Sequence, residues 1–297
     1  IERLSPALDA VIAPDAKIEK IASGFEFVEG PVWAFGEIWF SDLVGNKLFA
    51  VGADGATRML LANSGGATDA PHSEYPGSNG AVVDRDGSVL MAQHAGRRIV
   101  RITKDMAITP VIERDAQGRR LNSPNDMVFA ADGALWFTDP AFGLAGFDAS
   151  PDKEIPYNGV YRWKGGQLTA VIVDLPNPNG IAFSPDGRLL YVSNSGPEMF
   201  VNVYDVKADG SVAADVVGKA ALVLFDAENV PDNMKSPRAR REALIAAGAE
   251  AVIFIGDGQG SWPSLRRSLL SRTIALESRE KRAPLEGAIS AEFAVAM

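Results

Sequence analysis

Cysteine is absent from this chain of 297 residues, and histidine occurs only twice. The absence of cysteine excludes disulfide bonds, thiolate nucleophiles and cysteine-ligated zinc sites. Two histidines and no G-x-S-x-G motif leave little material for a serine–histidine–aspartate triad. The sequence also lacks an apolar run approaching the ~20 residues that cross a membrane. We therefore expect no membrane partner.

Positive charge is also scarce, with a net charge of -9 and a pI near 4.9. This acidic balance argues against nucleic acid as a partner and suits a neutral small molecule or a bound cation. The content of 46% hydrophobic and 23% charged residues is typical of a globular protein with a sizeable core. Because the chain begins at Ile1 rather than Met, we favour a removed signal peptide and a periplasmic or secreted protein; trimming for expression is the alternative.

The sequence contains a repeat of about 50 residues. Five stretches align: "VEGPVWAFGEIWFSD", "SNGAVVDRDGSVLMAQH", "PNDMVFAADGALWFTD", "PNGIAFSPDGRLLYVSN" and "PDNMKS". Each has a carboxylate or amide side chain at its second residue, and successive positions are 50, 46, 54 and 53 residues apart: Glu29, Asn79, Asn125, Asn179 and Asp232. This spacing is typical of a four-stranded propeller blade.

Each unit continues with a tight turn ("FGE", "RDG", "ADG" or "PDG") and three further strands, as expected for a blade. Asp42 and Asp139, which end second strands, are expected to bond turn amides. We therefore predict an all-β protein with four clear propeller blades between about residues 25 and 226. The domains are a propeller over residues 1–235 and an atypical α/β tail over residues 236–297, with a helix after Ser236 and a buried strand in "EAVIFIG".

The first strand of each blade lines the central channel of a propeller, so residues at one fixed position should meet around its axis. A ring of carboxylate and amide oxygens selects a hard divalent cation, with Ca²⁺ first and Mg²⁺ or Mn²⁺ as alternatives. Single Asn, Asp or Glu residues before a strand are also common turn residues. Their recurrence at the same position of each repeat unit favours a shared polar site.

Several motifs resemble one known family. "EGPVW", "SPND", "PNG" with "SPDGRLLYVSN", and "PDNMK" resemble the senescence marker protein, gluconolactonase and luciferin-regenerating enzyme family, over about residues 5–235. "RLNSPND" with "DGALWFTDP" resembles its exported gluconolactonase-like branch. The resemblance implies a six-bladed propeller that holds one divalent cation, Ca²⁺ before Mg²⁺, Mn²⁺ or Zn²⁺, and hydrolyses a sugar lactone.

The resemblance also implies individual roles. Glu29 matches a carboxylate ligand, Asn125 an amide near the metal that also contacts substrate, Asn179 an amide ligand, and Asp232 a ligand that is also the general base. The expected metal set is therefore Glu29, Asn125, Asn179 and Asp232. Water would attack the lactone while Asp232 or Glu29 takes its proton. We further expect Asn79, Asn125 and His94 to bind substrate; a structural role is the alternative for His94.

The C-terminal tail departs from the family pattern. After "PDNMK" the repeat stops, and "AAGAEAVIFIGD" resembles a fragment of a protease-associated domain. A ring that lacks blades leaves exposed strand edges, which the tail or a homo-oligomer would have to cover. Two functions are alternatives to lactone hydrolysis. One is a related esterase or phosphotriesterase, because water activated by a cation can attack several kinds of ester. The other, favoured by the atypical tail, is a non-catalytic propeller that serves as a binding module.

Overall fold

The fold is an arrangement of mainly antiparallel β-sheets built from successive segments of the chain. The computed structural model describes residues 8–9, 12–67, 73–196, 199–207, 209–214, 220–225, 251–256 and 285–290. Within these residues the regular secondary structure is almost entirely β-strand, with short 3-10 segments at residues 8–9 and at Phe147–Ala149. No helix in this part of the chain has the length and apolar composition needed to cross a membrane.

The first three blades are four-stranded sheets in which neighbouring strands follow chain order. The first blade consists of β1 (Val28–Ala34), β2 (Glu37–Asp42), β3 (Lys47–Val51) and β4 (Thr57–Ala62). The second consists of β5 (Ser78–Val83), β6 (Val89–Gln93), β7 (Arg98–Ile102) and β8 (Ile108–Ile112). The third consists of β9 (Met127–Phe129), β10 (Leu135–Asp139), β11 (Gly159–Lys164) and β12 (Gln167–Ile172). These strands confirm the predicted repeat.

The fourth sheet is larger than predicted. Its strands are β13 (Pro178–Phe183), β14 (Leu189–Asn194), β15 (Phe200–Val206), β16 (Val212–Ala214), β17 (Ala220–Phe225), β18 (Ala251–Gly256) and β19 (Leu285–Ser290). A single outer strand was expected, but β16 and β17 pair with opposite ends of the long strand β15. The strands β17, β18 and β19 then run parallel to one another.

Of the elements predicted for the C-terminal segment, one strand lies among the described residues. The strand β18 lies where "EAVIFIG" predicts one. The helix expected after Ser236 lies outside the described residues, as does Asp232. The six-bladed ring that the resemblance implies is not confirmed by the described residues, and the α/β character of the tail stays a prediction.

The turns between first and second strands follow the sequence. Gly87, Gly133 and Gly187 have φ values of +82°, +81° and +70°, which glycine adopts without the strain that a Cβ would cause. The first turn is tighter, because Ala34 pairs directly with Glu37 and only two residues connect the strands. Such two-residue turns match the twist of the flanking strands.

Three hydrophobic clusters fill the spaces between successive blades. Alternate residues of each strand face one neighbouring blade, because side chains point to opposite faces with a period of two. Trp39 and Trp136 are buried in two of these clusters, as expected of blade packing. Trp33 is not: it is 64% exposed on the first blade. A tryptophan inside a strand is expected to pack between blades, and Trp33 departs from this expectation because the covered face of β1 carries Ala34 instead.

Candidate active site on the inner strands

The inner strands β1, β5, β9 and β13 lie side by side in chain order. Hydrogen bonds join successive strands at the predicted ring positions. The hydroxyl of Ser41 donates to the carbonyl of Asn79 (3.0 Å), and the N–H of Gly80 donates to the carbonyl of Asn125 (2.8 Å). The repeated polar residues therefore lie on adjacent strands, with their backbones held by the neighbouring blade.

The fourth inner strand is held in the same way. The hydroxyl of Thr138 donates to the carbonyl of Asn179 (2.6 Å), which links the third blade to the fourth. Ser41 and Thr138 occupy equivalent positions one residue before the end of a second strand. In the first and third blades, a small hydroxyl residue at this position therefore bonds the ring residue of the next blade; the second blade has Ala92 there.

Glycine follows the ring residue in three units, as Gly30, Gly80 and Gly180. A Cβ on Gly30 would overlap the carbonyl of Asn79, and one on Gly80 would lie 2.6 Å from the carbonyl oxygen of Asn125. The blades approach so closely near the axis that two of these positions exclude a side chain.

The third unit breaks this pattern, because Asp126 occupies the glycine position. Its Oδ2 accepts the N–H of Ile181 on β13 (3.1 Å), and its Oδ1 accepts the N–H of Met127 (2.8 Å). Sequence reasoning did not place Asp126 in the site. The signal was present, since the dipeptides read Glu-Gly, Asn-Gly, Asn-Asp and Asn-Gly.

Glu29 and Asp126 form a region of concentrated negative charge. Burial raises the pKa of Glu29, the N–H of Gly30 offsets part of this effect, and the negative charge of Asp126 raises the pKa further. Burial also raises the pKa of Asp126, against the hydrogen bonds from Ile181 and Met127. Among the residues that the structure describes, no lysine or arginine contributes to either pKa. The two carboxylates therefore lack a protein counter-charge in this part of the chain.

His94 lies behind Asn79 and is completely buried. Its Nδ1 is 3.1 Å from the carbonyl of Tyr75, and its Nε2 is 3.1 Å from the Nδ2 of Asn79. The carbonyl requires a proton on Nδ1, so Nε2 accepts from the Asn79 amide. Burial lowers the pKa of His94 to about 4, so the ring is neutral at pH 7. Both nitrogens bond the protein, which favours a role in orienting Asn79 over direct substrate contact.

The ends of the second strands carry a separate set of polar side chains. The Oδ2 of Asp139 accepts the N–H of Asn122 (2.8 Å), and Asp42 accepts backbone N–H groups from Glu26, Phe27 and Gly45. The predicted bonding to backbone amides is confirmed. These carboxylates hold the segments that lead into the inner strands.

Residues 27–236 match the family described as the SMP-30/Gluconolactonase/LRE-like region. The chain belongs to this family. The resemblance inferred from "EGPVW", "SPND" and the later motifs is thereby confirmed. Its assignment to an exported branch, and the resemblance of the tail to a protease-associated domain, stay predictions.

Individual members of this family give more detail. A gluconolactonase of Zymomonas mobilis is 38% identical over 270 residues, which cover 87% of this chain and 75% of that protein. The solved structure of a gluconolactonase from Xanthomonas campestris is 33% identical, with a TM-score of 0.59, over 70% of this chain and 67% of that one. The diisopropyl-fluorophosphatase of Loligo vulgaris is 28% identical over 138 residues, 45% of this chain and 44% of that protein.

Four of the predicted ring residues lie together at the inner strands, and the fifth is outside the described residues. Glu29, Asn79, Asn125 and Asn179 lie on or just before the adjacent inner strands, and Asn79 and Asn125 are buried. Asp232 lies outside the described residues. No group of three or more histidine or carboxylate side chains suited to a metal occurs among the described residues. The described donors are oxygen atoms of carboxylates and amides, which suit a hard cation.

Proposed function

We propose that this protein hydrolyses a sugar lactone, as a gluconolactonase does. The proposal is supported by the gluconolactonase of Zymomonas mobilis, which matches 87% of the chain at 38% identity. The match to diisopropyl-fluorophosphatase covers half as much of the chain at lower identity. Lactone hydrolysis is therefore favoured over the esterase or phosphotriesterase alternative.

The reaction is proposed to use one divalent cation, Ca²⁺ first. The observation that supports it is the pair of carboxylates at Glu29 and Asp126, which lacks a cationic partner among the described residues. Two carboxylates without a counter-charge are costly to hold together when half-buried. Glu29, Asn125 and Asn179 would hold the cation, with Asp232 as a further ligand. When bound, a hard cation polarises the lactone carbonyl and stabilises the developing oxyanion.

The side chains of the chain itself would act on water and substrate. Glu29 or Asp232 takes a proton from the attacking water as its oxygen bonds the carbonyl carbon. The ring C–O bond then breaks, the proton passes to the departing alkoxide oxygen, and the product is an open-chain hydroxy acid. Asn79 is held by His94, so that its amide oxygen can face the substrate, and Asn125 offers a second amide. Burial of Glu29 raises its pKa and strengthens it as a base.

The test is hydrolysis of glucono-δ-lactone, followed by proton release and corrected for the uncatalysed rate. We expect activity that a chelator removes and Ca²⁺ restores. Glu29→Gln should lower kcat/KM by about 100-fold or more, as expected for loss of a base or ligand. The matched control is Glu37→Gln, on the same blade, where Glu37 forms an ion pair with Arg58 at the hairpin. This variant should retain the activity of the parent.

Two outcomes would contradict the proposal. One is a parent protein without lactone hydrolysis above the uncatalysed rate in the presence of Ca²⁺, Mg²⁺ or Mn²⁺. The other is a Glu29→Gln variant as active as Glu37→Gln. Faster hydrolysis of a phosphotriester than of any lactone would replace the proposed reaction with the alternative one.

A further inference from the structure

The carboxylate of Asp126 occupies space that a glycine leaves open in the second blade. A Cβ on Gly80 would lie 2.8 Å from its Oδ1, which is too close, whereas one on Gly180 would lie 3.9 Å from its Oδ2, an ordinary contact distance. Both glycines sit at the position equivalent to Asp126 in the neighbouring blades. The second blade therefore admits a side chain from the third because Gly80 has none.

Asp126 links the inner strands in a way that Gly30, Gly80 and Gly180, at the same repeat position in the other described blades, cannot. It lies on the segment that leads into β9, contacts the backbone of β5 at Gly80, and accepts the N–H of Ile181 on β13. Its charge also acts on Glu29 of β1. A glycine in its place would make none of these contacts, because it has no side chain.

The anchored positions lie next to the proposed ligands. Asn125 directly precedes Asp126, and Asn179 lies two residues before Ile181. The bond from Ile181 to Asp126 spans 55 residues of sequence and connects the third blade to the fourth. It therefore constrains the separation between the two amide side chains that would bind a cation and substrate.

We propose that Asp126 is a positioning residue of this site: its carboxylate anchors the strand of Asn179 beside Asn125 and places a negative charge directly after Asn125. This inference rests on the proposed function for its consequence, since the site it organises is the proposed lactonase site. Asp126 itself acts through these neighbours and not by contact with the lactone.

Two variants separate the anchor from the charge. Asp126→Gly removes both and installs the residue that the other three described blades carry at this position. Asp126→Asn removes the charge but keeps one oxygen that can accept the N–H of Ile181. A control for general loss of stability is Ile172→Ala, in the core between the third and fourth blades and on their outer part.

Three measurements are made on each protein: Ca²⁺ affinity by calorimetry, amide hydrogen exchange at Ile181, and kcat and KM for glucono-δ-lactone. In Asp126→Gly we expect exchange at Ile181 to accelerate and Ca²⁺ affinity to fall, each about tenfold or more, as for loss of a bond to a charged acceptor. In Asp126→Asn we expect weaker Ca²⁺ binding with protection at Ile181 largely retained. Ile172→Ala should lower the melting temperature while Ca²⁺ affinity stays within about twofold.

These measurements distinguish failure of the Asp126 inference from failure of the proposed lactonase function. Unchanged exchange at Ile181 in Asp126→Gly overturns the anchor, whatever the activity of the parent. If Ca²⁺ affinity and kcat/KM fall no further in the Asp126 variants than in Ile172→Ala, the positioning role is overturned. Asp126 then has only a structural role. A parent that neither binds a cation nor hydrolyses lactones, but whose Ile181 loses protection in Asp126→Gly, overturns the proposed function and supports the anchor.

Discussion

Replacing Asp139 with asparagine should remove a loss of stability that the parent protein undergoes as the pH rises from about 4 to about 7. Asp139 is completely buried, and its Oδ1 has no hydrogen-bond partner among the described residues. Burial raises its pKa to about 7, although the N–H groups of Asn122 and Ser123 and the charges of Arg97 and Lys153 act in the opposite direction. An unfolded aspartate titrates near pH 4.

The sign of the effect follows from proton binding. Between about pH 4 and pH 7 the folded protein keeps a proton on Asp139 that the unfolded chain has lost, so the free energy of unfolding falls as the pH rises. The contribution is complete below about pH 4 and lost above about pH 7. The full difference corresponds to about 4 kcal/mol, and the part between pH 5 and pH 7 to about 3 kcal/mol.

The assay is urea unfolding at about pH 5 and about pH 8. The fourth blade shows that asparagine is compatible with this position, because Asn194 there accepts the N–H of Asn177 (2.7 Å). In Asp139→Asn the difference in unfolding free energy between the two pH values should shrink by about 3 kcal/mol. Asp54→Asn, in an exposed turn, is the control and should keep the difference of the parent. If the unfolding free energy of Asp139→Asn differs between the two pH values as much as that of the parent, Asp139 does not carry the raised pKa.

Two further predictions concern the inner strands. Gly30→Ala should destabilise the protein by about 3 kcal/mol or more in urea unfolding, because its Cβ would overlap the carbonyl of Asn79 at a φ of +56°. The control Gly55→Ala has a φ of +76° and open space around it, and should cost only about 1 kcal/mol. Equal losses of stability in the two variants would contradict the steric explanation. His94→Ala should lower kcat/KM for the lactone by about tenfold, because Asn79 loses its acceptor. Burial lowers the pKa of His94 to about 4, so the pH profile of kcat/KM should show no inflection near pH 6.5; one that disappears in the variant would contradict a buried neutral ring.

The blades could be predicted because their signals are local. The turn glycines, the alternation of buried residues and the recurrence of a polar residue before each inner strand all occur within about 20 residues. Trp33 shows where this reasoning ends. The sequence around Trp33 predicts a strand, as it does around the buried Trp39 and Trp136. Only the arrangement of the sheets shows that Trp33 lies on the exposed face of the first blade.

The candidate site was predicted in part. The ring positions at Glu29, Asn79, Asn125 and Asn179 follow from the repeat, and the structure puts their strands side by side. The role of Asp232 as ligand and base, the identity of the cation, the cellular location and assembly into oligomers stay predictions. For His94, substrate binding stays a prediction; the contacts of its two nitrogens with Tyr75 and Asn79 agree with the structural alternative and depend on how a loop folds over the blade.

The repeat, the positions of the inner polar residues and the family follow from the order and spacing of residues along the chain. The contact of Asp126 with Ile181 of the next blade, and its effect on Glu29 of the first, are visible only in the folded molecule. Such contacts depend on the rotation and distance between sheets, which are set by side-chain packing at the three blade interfaces and not by any local pattern.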